Sequence, residues 1–417
     1  GGDNATLIRA YEKLLATTPG DSEASALLAE EIDRKLLDAD DITTRIAAAG
    51  DTPLLLAIAD LKRMRREDGK GYSFSADELA QQKPHFAARP DLYTLLEATR
   101  RYYAGEDPKA ILALLPDAAK AGSFTPLAFS RQMLRGMALA RTGDVNEPGF
   151  WRDMMGGAAP LFQRPLVEMG LAIRWQRDGR VAQIFAPGSP ITDAATREIL
   201  LQTVATPAIL RGVGKDATRP AHERDIAWFT LLYKDLNRGA YGDFGRDIAS
   251  LPVDAGADGG LWSFSLQDRV PAGLFRKGTW AEDYACPSIT QTAATLARAP
   301  ADRKAQLCLG EFYRLNGFDG FSLFRPDGEK EWLGAGPDGF PGRPMSRDAL
   351  YDAVIADQRA APEERAYALY RAVMCYAPSA YNGCSGPHAT SAESDAAQAP
   401  IARRKAWFTE LKTRYPN

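Results

Sequence analysis

At 417 residues the chain has room for two or three compact domains, or for one extended repeat array. Hydrophobic residues at 45% and charged residues at 25% are ordinary for a folded globular protein and exclude wholesale disorder. A net charge of -3 excludes a broadly basic nucleic-acid scaffold, and no run of about 18 apolar residues is present to span a membrane.

The chain opens GGDNATL without an initiator Met, which fits either a leading Gly left by cloning or a mature form from which a leader or lipid-anchoring segment has been removed. Helix signals follow at once. In LIRAYEKLL (7–15) the apolar residues Leu7, Ala10, Tyr11, Leu14 and Leu15 stripe one face at helical spacing, and Pro19-Gly20 ends the run. A second helix is expected after Asp21-Ser22, through ASALLAEEIDRKLL. Comparable patterns predict helices over 53–65, 91–104, 108–121, 126–142, 164–178, 192–211, 221–237, 288–299, 301–315, 348–358, 363–377 and 401–414. Stretches with the alternation of a strand are nearly absent, so the fold class expected is all-α.

Four of these helices break at a Gly: RRYYAG at Gly105, ALARTG at Gly143, RWQRDG at Gly179 and FYRLNG at Gly317. Seven residues before each stands a small residue: Ala98, Gly136, Ala172 and Gly310. Two helical turns separate the members of each pair, so they share a face. The small residue lets a partner helix approach, and the Gly accepts a left-handed end. The first three breaks lie 38 and 36 residues apart. LRGMALARTGD and LCLGEFYRLNGF resemble the first helix of the tetratricopeptide repeat, a two-helix unit of about 34 residues. LIRAYEKLLATTPGD and WFTELKTRYP resemble its second helix. The likeness covers about half the chain, and it departs in a wandering period and in short second helices such as Pro108–Leu115. It implies an α-solenoid of antiparallel hairpins with a concave binding face.

A helical-repeat region over 1–251 is expected to precede a C-terminal region, 252–417. The latter carries two long loops rich in Gly, Pro and aromatics, 252–287 and 316–345. Disordered linkers are poor in aromatics, so Trp262, Phe264, Phe275, Trp280, Phe318, Phe321, Phe324 and Trp332 point to loops that pack. Two readings stand: they line a binding groove, Trp262, Phe264, Trp280, Phe321 and Trp332 foremost, or they pin the loops to neighbouring helices. SGPHATSAESDAAQAP (385–400) reads as a polar, flexible loop.

Catalytic motifs are scarce. His85, His222 and His388 stand in no zinc-protease spacing. Gly212-Val-Gly-Lys215 fails as a phosphate loop, having Ile209 where the first Gly belongs and Asp216 after the Lys. The turns Asp254–Asp258 and Asp319–Asp327 lack the EF-hand spacing. Glu282 and Asp283, in TWAEDYACP, are the best adjacent carboxylates, but an acidic pair in a loop is usually a solvated turn. Glu393-Ser394 matches the Glu-Ser of helical lytic transglycosylases in two letters only and lacks an apolar surround. No metal or cofactor is expected.

The four cysteines are spaced too widely for a CxxC metal or redox site. Cys375 ends a helix, and Pro378 and Asn382-Gly383 bend the chain so that Cys384 returns to it. Cys286 precedes one helix and Cys308 lies in the next, which runs back past it. Disulfides Cys286–Cys308 and Cys375–Cys384 are therefore expected, and with them an oxidising compartment. The function expected is non-enzymatic: a periplasmic or outer-membrane-anchored bacterial scaffold that binds a protein or peptide, resembling tetratricopeptide lipoproteins in its YP-ending last helix. A glycan-cleaving enzyme with a carboxylate in the 260–340 loops is the competing expectation.

Overall fold

A computed structural model describes residues 4–17, 42–59, 75–261, 269–323, 332–377, 383–386 and 391–416. Among these, regular structure is helical throughout and no strand occurs. Trp262, Phe264, Phe324, His388 and the whole of the predicted second helix lie outside the described residues. The chain divides into two compact units, Gly1–Arg174 and Trp175–Asn417. The 251/252 boundary suggested by loop composition lies within the second unit.

The first unit holds α1 (Asn4–Thr17), α2 (Ile42–Ala49), α3 (53–59), α4 (Ala76–Gln82), α5 (Pro90–Tyr103), α6 (Pro108–Leu114), α7 (Pro126–Thr142) and α8 (Glu147–Met155). The division falls within α9 (Gln163–Arg177). Ile8 and Leu15 of α1 close a core with Ile46, Leu54, Leu55, Leu79 and Phe86. The Glu12 carboxylate accepts the backbone N–H groups of Leu54 (2.9 Å) and Leu55 (2.7 Å), donors that the first turn of α3 cannot satisfy internally. A second core joins Ala98, Tyr102, Ile111, Leu115, Leu134 and Ala138. Thr125 caps α7 through Ala128 N–H, and Gly143 ends it at φ +68°, a conformation that costs glycine little.

The small residues of the sequence pattern sit where helices touch. Ala98 and Ala172 are fully buried. Gly136 faces the indole of Trp151, and Gly170 faces the same ring. Trp151 Nε1 donates to Glu147 Oε1 (3.1 Å). Gly310, in the second unit, faces Tyr351.

The second unit contains α10 (Val181–Ile184), α11 (Ala194–Thr203), α12 (Pro207–Lys215), α13 (Ala221–Asn237), α14 (Tyr241–Ile248), α15 (Leu274–Lys277), α16 (Ile289–Arg298), α17 (Arg303–Asn316), α18 (Arg347–Ala356), α19 (Pro362–Met374), α20 (Ser391–Ala397) and α21 (Ile401–Arg414). The single helix expected over 192–211 is two, α11 and α12. Pro207 lacks an N–H and forces Thr206 into an extended conformation, where its hydroxyl caps the second helix. The polar stretch 385–400 contains α20, a short helix where a loop was expected. From α16 onward the helices pack in chain order, α16 on α17, α17 on α18 and α18 on α19, and α19 then packs on α21, past the short α20.

Both disulfides are formed, Cys286–Cys308 with Cα atoms 5.5 Å apart and Cys375–Cys384 at 5.7 Å. No described helix is long and apolar enough to cross a membrane.

Candidate functional site

Helix α13 organises the second unit. Residues 226–237 are all buried, and two of them, Lys234 and Asp235, are charged. Buried ionisable groups need partners; Lys234 meets a carboxylate, whereas Asp235 meets a second carboxyl on a different side of the helix.

Lys234 Nζ donates to Thr203 O at the end of α11 (2.7 Å) and to both oxygens of Asp338 (3.2 and 3.3 Å). Arg238, just past the helix, pairs with the same carboxylate and donates to Phe340 O (2.6 Å). Both cations lie over the Phe340 ring. Backbone bonds complete the mooring of this Gly-rich loop: Gly339 N–H to Val204 O (3.2 Å) and Met345 N–H to Asn237 O (2.8 Å). Gly334 N–H donates to Gln176 Oε1 (2.7 Å). A Cβ on Gly334 would meet Thr203 Oγ1 at 2.7 Å, so this approach requires glycine.

Between the moored loop and α13 lies a cleft of about 190 Å³. Its walls are Tyr233, Lys234 and Arg238, then Tyr313 and Phe318, then Asp319, Arg347, Ser385 and Gly386; Ser322 and Pro344 form an exposed rim. Arg347 Nε donates to both oxygens of Asp319 at 3.0 Å, and its Nη1 donates to Tyr351 Oη (3.1 Å). Phe318 stacks on Tyr313 and Tyr233, with centroids 4.6 and 5.2 Å apart. The wall at 383–386 is tied down covalently through Cys384, whose carbonyl accepts Asp348 N–H (3.1 Å).

On the other side of α13, the buried Asp235 and Asp247 carboxyls meet, and Arg211 holds Asp247 through two 2.8 Å bonds. Burial pushes the Asp235 carboxyl up, to about 8, and its hydrogen bond with Asp247 pushes the same way. The buried pair is therefore arranged to keep a proton at neutral pH. Neither residue lines the cleft.

The sequence candidates distribute unevenly around this site. Phe321 packs edge-on to Phe229 and Tyr233, Trp280 packs on Phe312, and Trp332 is largely exposed. Glu282 and Asp283 are exposed, and they are absent from the cleft. Gly212-Val-Gly-Lys215 is helical, and Gly214 lies under Trp228, whose Nε1 donates to Gly214 O (2.9 Å). Among the described residues no group of three or more His, Cys, Asp or Glu side chains is arranged to hold a metal. The sequence pattern does not single out Lys234, Arg238, Asp338 or Arg347, and it offers Asp319 only as a turn residue. The available signal was AWFTLLYKDLN, in which Lys-Asp interrupts an otherwise apolar helix.

No protein-family model matches the chain, and no curated protein or solved structure is significantly similar to it.

Proposed function

We propose that the protein is a non-enzymatic binding module of the bacterial cell envelope, an exported helical scaffold that holds a protein or peptide. Its helices are read as a degenerate tetratricopeptide-like solenoid. Support comes from neighbour-on-neighbour helix packing, from small residues at helix contacts, and from two disulfides of the kind that persist in oxidising compartments. A lipid anchor upstream belongs to the same proposal.

The observation that supports binding over catalysis is the state of two carboxylates among the described residues of the loops, Asp319 and Asp338. A glycan-cleaving enzyme needs two carboxyls facing a substrate, one of them free to give up a proton. Asp319 is held by Arg347, and Asp338 by Lys234 and Arg238. Carboxylates engaged in this way by cations orient the walls of a cleft.

Photo-cross-linking tests the proposal. A benzophenone side chain at Ser322 or Trp332 should capture a discrete envelope protein or peptide, with an exposed site on the first unit, such as Val145, as control. Equal labelling from the control, or release of sugar from envelope glycan that Asp319→Asn abolishes, would replace the scaffold reading with another.

A further inference from the structure

We propose that the cleft of the second unit is a docking site for a small oxyanion, a carboxylate or phosphate group, held by Arg238, Lys234 and Arg347. The inference rests on reading this cleft as a binding site and adds the chemistry of what enters it.

The charge count at the cleft does not close. Lys234, Arg238 and Arg347 are 2%, 4% and 4% exposed at their side chains, and the carboxylates that face them, Asp338 and Asp319, are 12% and 7% exposed. Among the described residues, three buried cations thus meet two carboxylates. Asp338 serves two of the cations at once. Arg238 has in addition a buried Nε–H with no hydrogen-bond partner among the described residues. In a medium of low dielectric a cluster with one excess positive charge attracts an oxyanion strongly, and charge-assisted hydrogen bonds are the stronger kind. Burial lowers the Lys234 ammonium to about 8, with Asp338 only partly offsetting it. Incoming negative charge would push it back up.

Size narrows the ligand. A cavity of roughly 150 Å³ holds a benzene ring, so a space of about 190 Å³ admits an acid about as large as one amino acid. Tyr233, Tyr313 and Phe318 supply apolar surface for its body, and the exposed rim at Ser322 and Pro344 supplies the way in.

Calorimetric titration of the oxidised full chain tests this, with inorganic phosphate, lactate and N-acetylalanine as probes and the neutral amide beside each carboxylate. At least one anion should bind saturably, with its amide about tenfold weaker or more. Phosphate or carboxylate preference identifies the source. Arg238→Gln should weaken binding about ten- to a hundredfold. Because Arg238→Gln disturbs buried charge, Ser322→Trp provides a second test: it fills the exposed rim and should abolish binding while leaving the melting temperature unchanged. Near pH 8 the heat should vary with the ionisation enthalpy of the buffer, reporting proton uptake by Lys234. Equal binding of acid and amide, or no saturable anion, overturns the oxyanion site. Peptide cross-linking at Ser322 without anion binding would then leave the scaffold reading standing, whereas anion binding without any captured peptide would uphold this inference and remove the peptide.

Discussion

Replacing Gly136 by Ala adds one methyl group at the most confined helix contact of the first unit. That Cβ would lie 2.2, 2.5 and 2.8 Å from three ring carbons of Trp151, where carbon atoms prefer about 3.5–4.0 Å. The ring must retreat by more than about 1 Å. It has nowhere to go, because a Cβ on Gly170 would already lie 2.8 Å from the same ring, and Nε1 is held by Glu147 at 3.1 Å. Overpacking of this kind costs about 1–3 kcal/mol, and loss of the Glu147 bond adds about 1 kcal/mol. The better helix propensity of Ala returns about 1 kcal/mol. The net expectation is a loss of about 1–3 kcal/mol, or a fall of roughly 2–12 °C for a unit of this size. Gly149→Ala is the control: nothing lies within 4 Å of its Cβ position, so it should stabilise by about 0.4–1 kcal/mol. Thermal and urea denaturation followed by circular dichroism measure both. Trp151→Phe combined with Gly136→Ala should recover part of the loss. If Gly136→Ala stabilises as much as Gly149→Ala, the close contact is not real and the reasoning fails.

Glu12→Ala should destabilise by about 1–3 kcal/mol, because it strands the buried N–H groups of Leu54 and Leu55; an unchanged urea midpoint would count against the cap. Asp235 makes stability depend on pH. Its folded-state value, about 8, lies above the ordinary carboxyl value, so the stability it contributes is full below about pH 4 and is lost as pH rises toward 8, at up to about 1.4 kcal/mol per unit. Asp235→Asn should flatten that slope between about pH 5 and 8, and a slope identical to wild type would refute the neutral carboxyl. Non-reducing peptide mapping should recover Cys286 with Cys308 and Cys375 with Cys384. Replacing Cys375 and Cys384 together by Ser should cost about 2–3 kcal/mol on the loop-entropy estimate and weaken anion binding by loosening the 383–386 wall; full binding in that variant would detach the disulfide from the cleft.

Much of the helical framework is local chemistry and could be read directly. The apolar periodicity of 126–142, 221–237 and 401–414 predicts helices whose limits agree with the structure, and Gly143 and Gly317 end helices in the left-handed conformation. Pro207 carried the signal for the break between α11 and α12, but the long apolar pattern around it obscured that signal. The disulfide pairs were legible for the same local reason, since each joins elements adjacent along the chain. The candidate site was not legible. Lys234 and Asp338 are 104 positions apart, and Asp319 and Arg347 are 28 apart. Nothing in the local pattern distinguishes Asp338 from the exposed Asp283. Helix formation depends on neighbours within about four residues, which any sequence displays. A buried ion pair depends on which distant segments the core brings together, and only the tertiary structure decides that.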